Sequence, residues 1–201
     1  MAPFLLVLHP SVPANSVTEL IAYIKTKPGG INYGSSGVGG AAHLAGEMFK
    51  TAAGVQLTHI PYKGAAPAMA DLLGGQVPMV FDPIPTSLPH VRGGRIKALA
   101  ITSAQRTPLM PEVPTVAESG LPGFEVAAWF GLYAPAATPA DIVGKLNADV
   151  NRVLRLPEVK EKFAALGADS APMTTDQFAL HLRAEIAKFA KAIKDSGAKA
   201  E

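Results

Sequence analysis

Apolar residues along the first 124 positions switch between two patterns. Short runs of consecutive apolar residues predict buried strands, and between them apolar positions recur three and four apart, as on one face of a helix. Phe4–His9 is the first run. Ser16-Val17-Thr18-Glu19 has the form of a capping box, and Val17, Leu20, Ile21 and Ile24 follow at helical spacing. Pro28-Gly29-Gly30 stops that helix, and Ile31–Gly34 predicts the next strand. A helix over 39–51 carries Leu44, Ala45, Met48 and Phe49 on one face; Val55–Ile60 reads as a strand, and 64–73 as a short helix with Pro67 in its first turn. Val77–Phe81, a helical turn over 85–92 and the strand Ile96–Thr102 complete the series. Strands separated by helices predict parallel βαβ units in an open, doubly wound α/β sheet.

Beyond Phe124 the pattern changes. Residues 125–134, with Trp129 and Phe130, predict one long strand. A helix starting at Thr138-Pro139 directs Ile142, Val143, Leu146, Val150 and Val153 inward. A second helix covers about 157–166. A third covers about 175–195, with Phe178, Leu182, Ile186, Phe189 and Ile193 as its stripe. One strand cannot cover three amphipathic helices. Either they bundle against the first sheet, or their own sheet lies outside this chain, and the second arrangement is expected. A strand that starts so near Met1 agrees with an N-terminally trimmed α/β domain. In that case the helices expose apolar faces, and the chain aggregates or pairs with a copy of itself.

Composition narrows the function classes. Of the 201 residues 48% are hydrophobic, ample for a packed core. The net charge is only +2 and Lys and Arg are scattered, which weighs against nucleic acid as a partner. The absence of cysteine excludes disulfides and thiolate chemistry. The longest uncharged stretch, 126–140, contains two prolines and is too short for a bilayer, so the chain is not expected to be membrane-embedded. No basic segment and cleavage site follows Met1, so no signal peptide is visible.

Chemistry is expected where strands end and helices begin. The loops Ser35–Gly40, Tyr62–Ala65 and Asp82–Pro85 lie at the carboxyl ends of three predicted strands, the place where open α/β sheets bind ligands. In the first, Ser35, Ser36, Gly37, Gly39 and Gly40 open directly into a helix. Glycines admit close backbone approach, and a helix N-terminus offers unpaired N–H groups and a partial positive charge. In the second, Tyr62, Lys63, Gly64 and Ala65 repeat the arrangement. Two such sockets in successive units point to a carboxylate or phosphate. Asp82 either accepts from a ligand amine or hydroxyl or caps the next turn, Tyr62 either lines the pocket or closes the loop, and Lys63 either pairs with an anion or stays solvated.

Familiar enzyme motifs fail at the same place. Val38 stands where a G-x-S-x-G elbow requires its second glycine. The run Gly37–Ala42 misses the last glycine of the dinucleotide fingerprint, no acid ends the following strand, and no G-K-[ST] follows. His9, His43, His59, His90 and His181 show no metal spacing, and His43 with Glu47 reads as an i,i+4 pair. No catalytic set, metal site or cofactor is expected. Trp129 reads as core. The alternative is an α/β enzyme that holds a phosphorylated or nucleotide ligand on the Ser35–Gly40 loop, with His43 or Asp82 as base.

The motifs Tyr33-Gly34-Ser35-Ser36-Gly37-x-Gly39, His43-Leu44-Ala45-Gly46-Glu47 and His59-Ile60-Pro61-Tyr62-Lys63-Gly64 resemble the Bug family, the periplasmic receptors of tripartite tricarboxylate transporters. Asp71–Val77, Phe81-Asp82, Lys97–Ser103, Val113–Phe124 and Trp129–Leu132 continue the resemblance in order. It implies a type II periplasmic binding protein fold, two doubly wound α/β lobes joined by two crossover strands, with lobe one only partly present. Residues 4–124 would form lobe two. Residues 125–201 would supply a crossover strand and the C-terminal helices of lobe one, whose N-terminal half is absent. The resemblance further implies a small carboxylate ligand (a di- or tricarboxylate, amino acid or aromatic acid), a membrane permease as partner, a periplasmic location and a monomeric full-length protein. It implies pocket roles for Ser35, Ser36, Gly37, Gly39, Gly40, Tyr62, Lys63, Gly64, Ala65 and Asp82. Many members carry Ser or Thr in place of Gly40, and polar residues near Ala41, so this pocket has fewer hydroxyl donors.

Overall fold

The computed structural model describes residues 1–197. Its first part alternates β1 (Ala2–Leu8), α1 (Val17–Lys25), β2 (Ile31–Ser35), α2 (Ala41–Ala53), β3 (Leu57–Pro61), α3 (Ala65–Leu73), β4 (Met79–Pro83), α4 (Ile84–Arg92) and β5 (Lys97–Ile101). The strands lie side by side in the order β3-β2-β4-β1-β5. β2 runs parallel to β3 and to β4, with Ser35 opposite Pro61 and Gly34 opposite Val80. β1 is the exception to the expected parallel units: it runs antiparallel to both β4 and β5. An apolar run fixes burial but not strand direction, so β1 reads the same from sequence either way.

Two cores, one on each face of the sheet, explain the strand patterns. Phe4, Leu6 and Leu8 of β1 join Leu20 and Ile24 of α1 and Ala45 and Phe49 of α2 on one face. Leu5 and Val7 join Met69 and Leu72 of α3 and Ile84 of α4 on the other. β1 is therefore buried on both sides, which requires consecutive rather than alternating apolar residues. The start of α1 is capped as the sequence predicts: the Ser16 hydroxyl accepts from Glu19 N–H at 3.1 Å. The Glu19 carboxylate closes back one residue earlier than a standard box, accepting from Asn15 N–H at 2.7 Å.

The second part corrects one expectation. The long strand over 125–134 shrinks to β6 (Ala127–Ala128), which pairs with Ala2 and Pro3 of β1. Beyond it the backbone finds no further ladder partner among the described residues, and Phe130 is 91% exposed. Helices α5 (Ala140–Leu154), α6 (Pro157–Ala165) and α7 (Thr175–Ser196) follow where they are expected. α7 opens on a full capping box, Thr174 with Gln177. It rests on the first part through Phe189, which packs against the core beside α2, and the buried Ala192. The apolar stripes of these helices are left uncovered, the expected outcome when their own sheet lies outside the chain: Ile142, Leu146 and Val153 of α5 are exposed, as are Ile186 and Ile193 of α7. Trp129 is half-buried between Phe178 and His181 and donates its indole N–H to Glu185 at 3.2 Å.

Candidate ligand site at the strand ends

The three loops singled out in the sequence emerge together at one edge of the sheet, because β3, β2 and β4 are adjacent and parallel. From β2 the chain leads through α2 outward to β3, whereas from β4 it leads through α4 across β1 to β5. The carboxyl ends of β2 and β4 thus flank a topological switch point, where open α/β sheets form their ligand crevice.

The first two loops are bonded into one unit. Tyr62 N–H donates to Ser35 O at 3.0 Å, and Gly64 N–H donates to Ser36 O at 3.1 Å. Each loop opens a helix without a side-chain cap: Gly40 is the N-cap residue of α2 and Gly64 that of α3. The backbone N–H groups of Ala41 and Ala42, and of Ala65 and Ala66, stand in first turns, where helical geometry provides no acceptor. Gly39 and Gly64 sit at φ +75° and +107°, conformations that side-chain-bearing residues rarely adopt, so both turns depend on glycine. Ser36, Gly39, Gly40 and Lys63 are exposed, and Lys63 makes no ion pair among the described residues.

A buried polar network stands behind the first loop. The Ser35 side chain is fully buried; its oxygen lies 2.7 Å from His59 Nε2, donates to Gly37 O at 3.1 Å and accepts from Gly37 N–H at 3.3 Å. Gly39 N–H donates to His43 Nδ1 at 3.0 Å. His43 is the third residue of α2 and reaches back much as the Glu or Gln of a capping box does, but to the residue before the N-cap Gly40. Sequence reasoning missed this contact, since a Gly-x-x-His start matches no familiar cap pattern. The expected His43–Glu47 pair is present but long, at 4.0 Å. The carboxylate of Glu47 instead takes the Tyr33 phenol at 2.8 Å and Lys50 at 2.9 Å. Burial, then Glu47, pushes the Tyr33 phenol well above its ordinary range. The two imidazoles stack at 3.9 Å, and burial holds both below the usual histidine range, His59 at about 4.

The other named residues divide. Tyr62 turns inward: its ring meets Gly34 and its hydroxyl donates to Asp71 at 2.8 Å, so it closes the loop. Asp82, next to last in β4, is only 1% exposed and accepts from the Ser87 hydroxyl at 2.6 Å, while its second oxygen has no partner among the described residues. Burial raises its pKa to about 7, against the smaller opposing effect of Ser87. It ties the first turn of α4 to the strand end and does not present a free carboxylate.

Comparison with known proteins gives a consistent picture. Residues 1–198 match the family model described as tripartite tricarboxylate transporter family receptor. The chain is 39% identical to Protein BugT of Bordetella pertussis over 197 residues, which are 98% of this chain and 60% of that protein. A protein encoded in the tcbD-tcbE intergenic region of Pseudomonas sp. strain P51 is 38% identical over 90% of this chain and 56% of its own length. Among solved structures, R. palustris Rpa4515 with adipate superposes with a TM-score of 0.86 at 40% identity, over 98% of this chain and 66% of that one. MatC of Rhodopseudomonas palustris with bound malate gives 0.78 at 33% identity, over 96% and 66%. The chain therefore spans somewhat under two thirds of the length of these relatives. Because that family model matches residues 1–198, nearly the whole chain, the chain belongs to the tripartite tricarboxylate transporter receptor family.

Proposed function

We propose that residues 4–124 form one jaw of a periplasmic receptor that captures a small carboxylate and presents it to a membrane permease. The observation that carries this reading is that the loops opening α2 and α3, neither with a side-chain cap, are hydrogen-bonded to each other next to the switch point. Backbone N–H groups and the positive ends of two helices stand at these loops, with no acidic residue in either first turn, which suits a carboxylate. The adipate and malate in the two structural neighbours support the same ligand class. Ser36, Gly37, Gly39, Gly40, Lys63, Gly64 and Ala65 would face the ligand. Ser35, Tyr62 and Asp82 would shape the loops from behind.

The geometry favours capture over chemistry. The Nδ1 atom of His43 is occupied by Gly39 N–H, and Asp82 is enclosed against Ser87, so neither stands ready as a base at the loop. The enzyme alternative gains no support from the site.

The second part, 125–201, is proposed to belong to the opposite lobe. Its exposed apolar residues, including Phe130, Leu132, Leu146, Leu180 and Ile186, would pack on polypeptide of the kind by which the relatives exceed this chain. The backbone supports this placement. Met1 and Asp169 exchange two hydrogen bonds of 2.8 Å, so any chain preceding Met1 would emerge beside the loop between α6 and α7.

The function is tested by thermal melting of the longer, two-lobed protein with mono-, di- and tricarboxylates and with phosphorylated compounds. A carboxylate at a hundred times its dissociation constant should stabilise it by roughly 2.7 kcal/mol. Stabilisation by phosphorylated compounds alone would overturn the receptor reading.

A further inference from the structure

Past Ser35, the end of β2, the loop to Gly40 has three glycines and neither helix nor strand, so little in its own backbone holds one shape. Its shape comes from two imidazoles. His59, from β3, meets the Ser35 hydroxyl at 2.7 Å, and that hydroxyl both donates to and accepts from Gly37. His43, from α2, accepts from Gly39 N–H at 3.0 Å. The rings lie face to face, 3.9 Å apart and 14° from parallel, so each limits the other's rotation. One histidine thus secures the entry of the loop and the other its exit.

We propose that His43 and His59 act together as positioning residues for the ligand-binding loop, and that His43 does so only as a neutral imidazole. This rests on the reading that the loop holds the carboxylate. Nδ1 can accept from Gly39 only while it carries no proton. Once protonated, it turns a donor toward a donor, and the Gly39 amide is released. Release would alter which N–H groups face the ligand at the start of α2.

The surroundings of the pair are specific. From α2 come Glu47, 4.0 Å from His43, and Lys50, which pairs with Glu47 at 2.9 Å. From β2 comes the phenol of Tyr33, donating to Glu47 at 2.8 Å. The end of α7 contributes Ser196 and Gly197, neither of them ionisable in its side chain. Glu47 attracts a proton to His43, Lys50 opposes it, and burial opposes it more strongly than either. The partial positive charge at the start of α2 acts in the same sense as burial. Two cations at the stacking distance repel strongly, so the second imidazole takes its proton only with difficulty. A polar cleft of about 410 Å³, lined by His43, Glu47, Lys50, Thr58 and His59 among others, gives solvent a route to the pair.

The test follows backbone amides and imidazole nitrogens by NMR in the ligand-free protein as pH falls. The Gly39 amide should move with the same midpoint as the His43 imidazole, below the usual histidine range. In His43→Gln, which keeps an acceptor at the third helical position but cannot take the proton, the Gly39 amide should stay still. A Gly39 amide indifferent to the titration of His43 would overturn the proposal whatever the ligand proves to be. A second arm measures affinity in the two-lobed protein at pH 7.5 with succinate, citrate and benzoate as probes. His43→Ala should weaken whichever probe binds by about tenfold, one lost hydrogen bond's worth of preorganisation, and His43→Gln should recover most of that loss. Equal affinity in the Ala and Gln variants would also overturn it. If the amide follows His43 but none of the three acids binds, loop control by His43 stands and the carboxylate reading is what fails.

Discussion

Asp82 offers the sharpest quantitative prediction, because its carboxyl group is almost wholly enclosed and, among the described residues, only one of its oxygens has a partner. Its pKa is raised from 3.8 to about 7, by burial first, with Ser87 pulling the other way. A carboxyl group whose folded pKa lies above its unfolded value binds more protons when folded. Its contribution to stability is full below pH 3.8, falls as pH rises, and is gone above about 7. Roughly three units at 1.36 kcal/mol each set an upper limit of about 4 kcal/mol, and relaxation of the surroundings makes about 2–4 kcal/mol the working range. Asp82→Asn keeps an oxygen for the Ser87 hydroxyl and removes the titration. The variant should match the wild type near pH 4 and gain on it through pH 7, reaching a constant advantage above. For a chain of this size that advantage corresponds to about 5–15 °C in melting temperature. Paired melts from pH 4 to 8.5 read the difference directly, and effects shared by both proteins cancel. A difference that does not vary with pH, or a variant less stable than the wild type at pH 8, would show that Asp82 is ionised and held by a partner, and would refute the reasoning.

Further outcomes follow from packing. Gly46 of α2 lies against the ring of Tyr33, and a Cβ there would fall inside van der Waals contact with it. The helix gain of Gly46→Ala, about 1 kcal/mol, should be outweighed by overpacking against a phenol fixed by Glu47 and His43 O, so denaturant melts should show a net loss of about 2 kcal/mol. Ser16→Ala removes the cap of α1 and should cost about 1 kcal/mol in the same assay. The 201-residue chain by itself should bind an apolar dye such as ANS and self-associate through α5–α7, whereas the two-lobed protein should do neither; dye fluorescence with light scattering separates the outcomes.

The legible and illegible parts of this protein divide along physical lines. Residues that act through local geometry could be read: Ser16 as a cap, the glycine loops at Gly39 and Gly64, and helix boundaries within a few residues. The exposed faces of α5 and α7 could be read as well, since three apolar stripes exceeded what one strand can cover. The direction of β1 could not, because six consecutive buried residues, Pro3 to Leu8, fit a central strand of either sense. The strand after Glu125 was over-read: its apolar residues have the composition of a strand, but a ladder needs a neighbour, and past Ala128 none is present among the described residues. The site split in the same way. Loop positions followed from strand ends, whereas the inward turn of Tyr62, the enclosure of Asp82 and the grip of His43 on Gly39 depend on contacts across elements that no single segment encodes.

The central claim is that a carboxylate rests on the two helix N-termini that open at Gly40 and Gly64. The most direct measurement is an amide NMR titration of the two-lobed protein with the carboxylate that stabilises it best. The account predicts that the amides of Gly39, Gly40, Ala41, Ala42, Ala65 and Ala66 shift together along one binding curve. A carboxylate that binds with those six amides unmoved would contradict it.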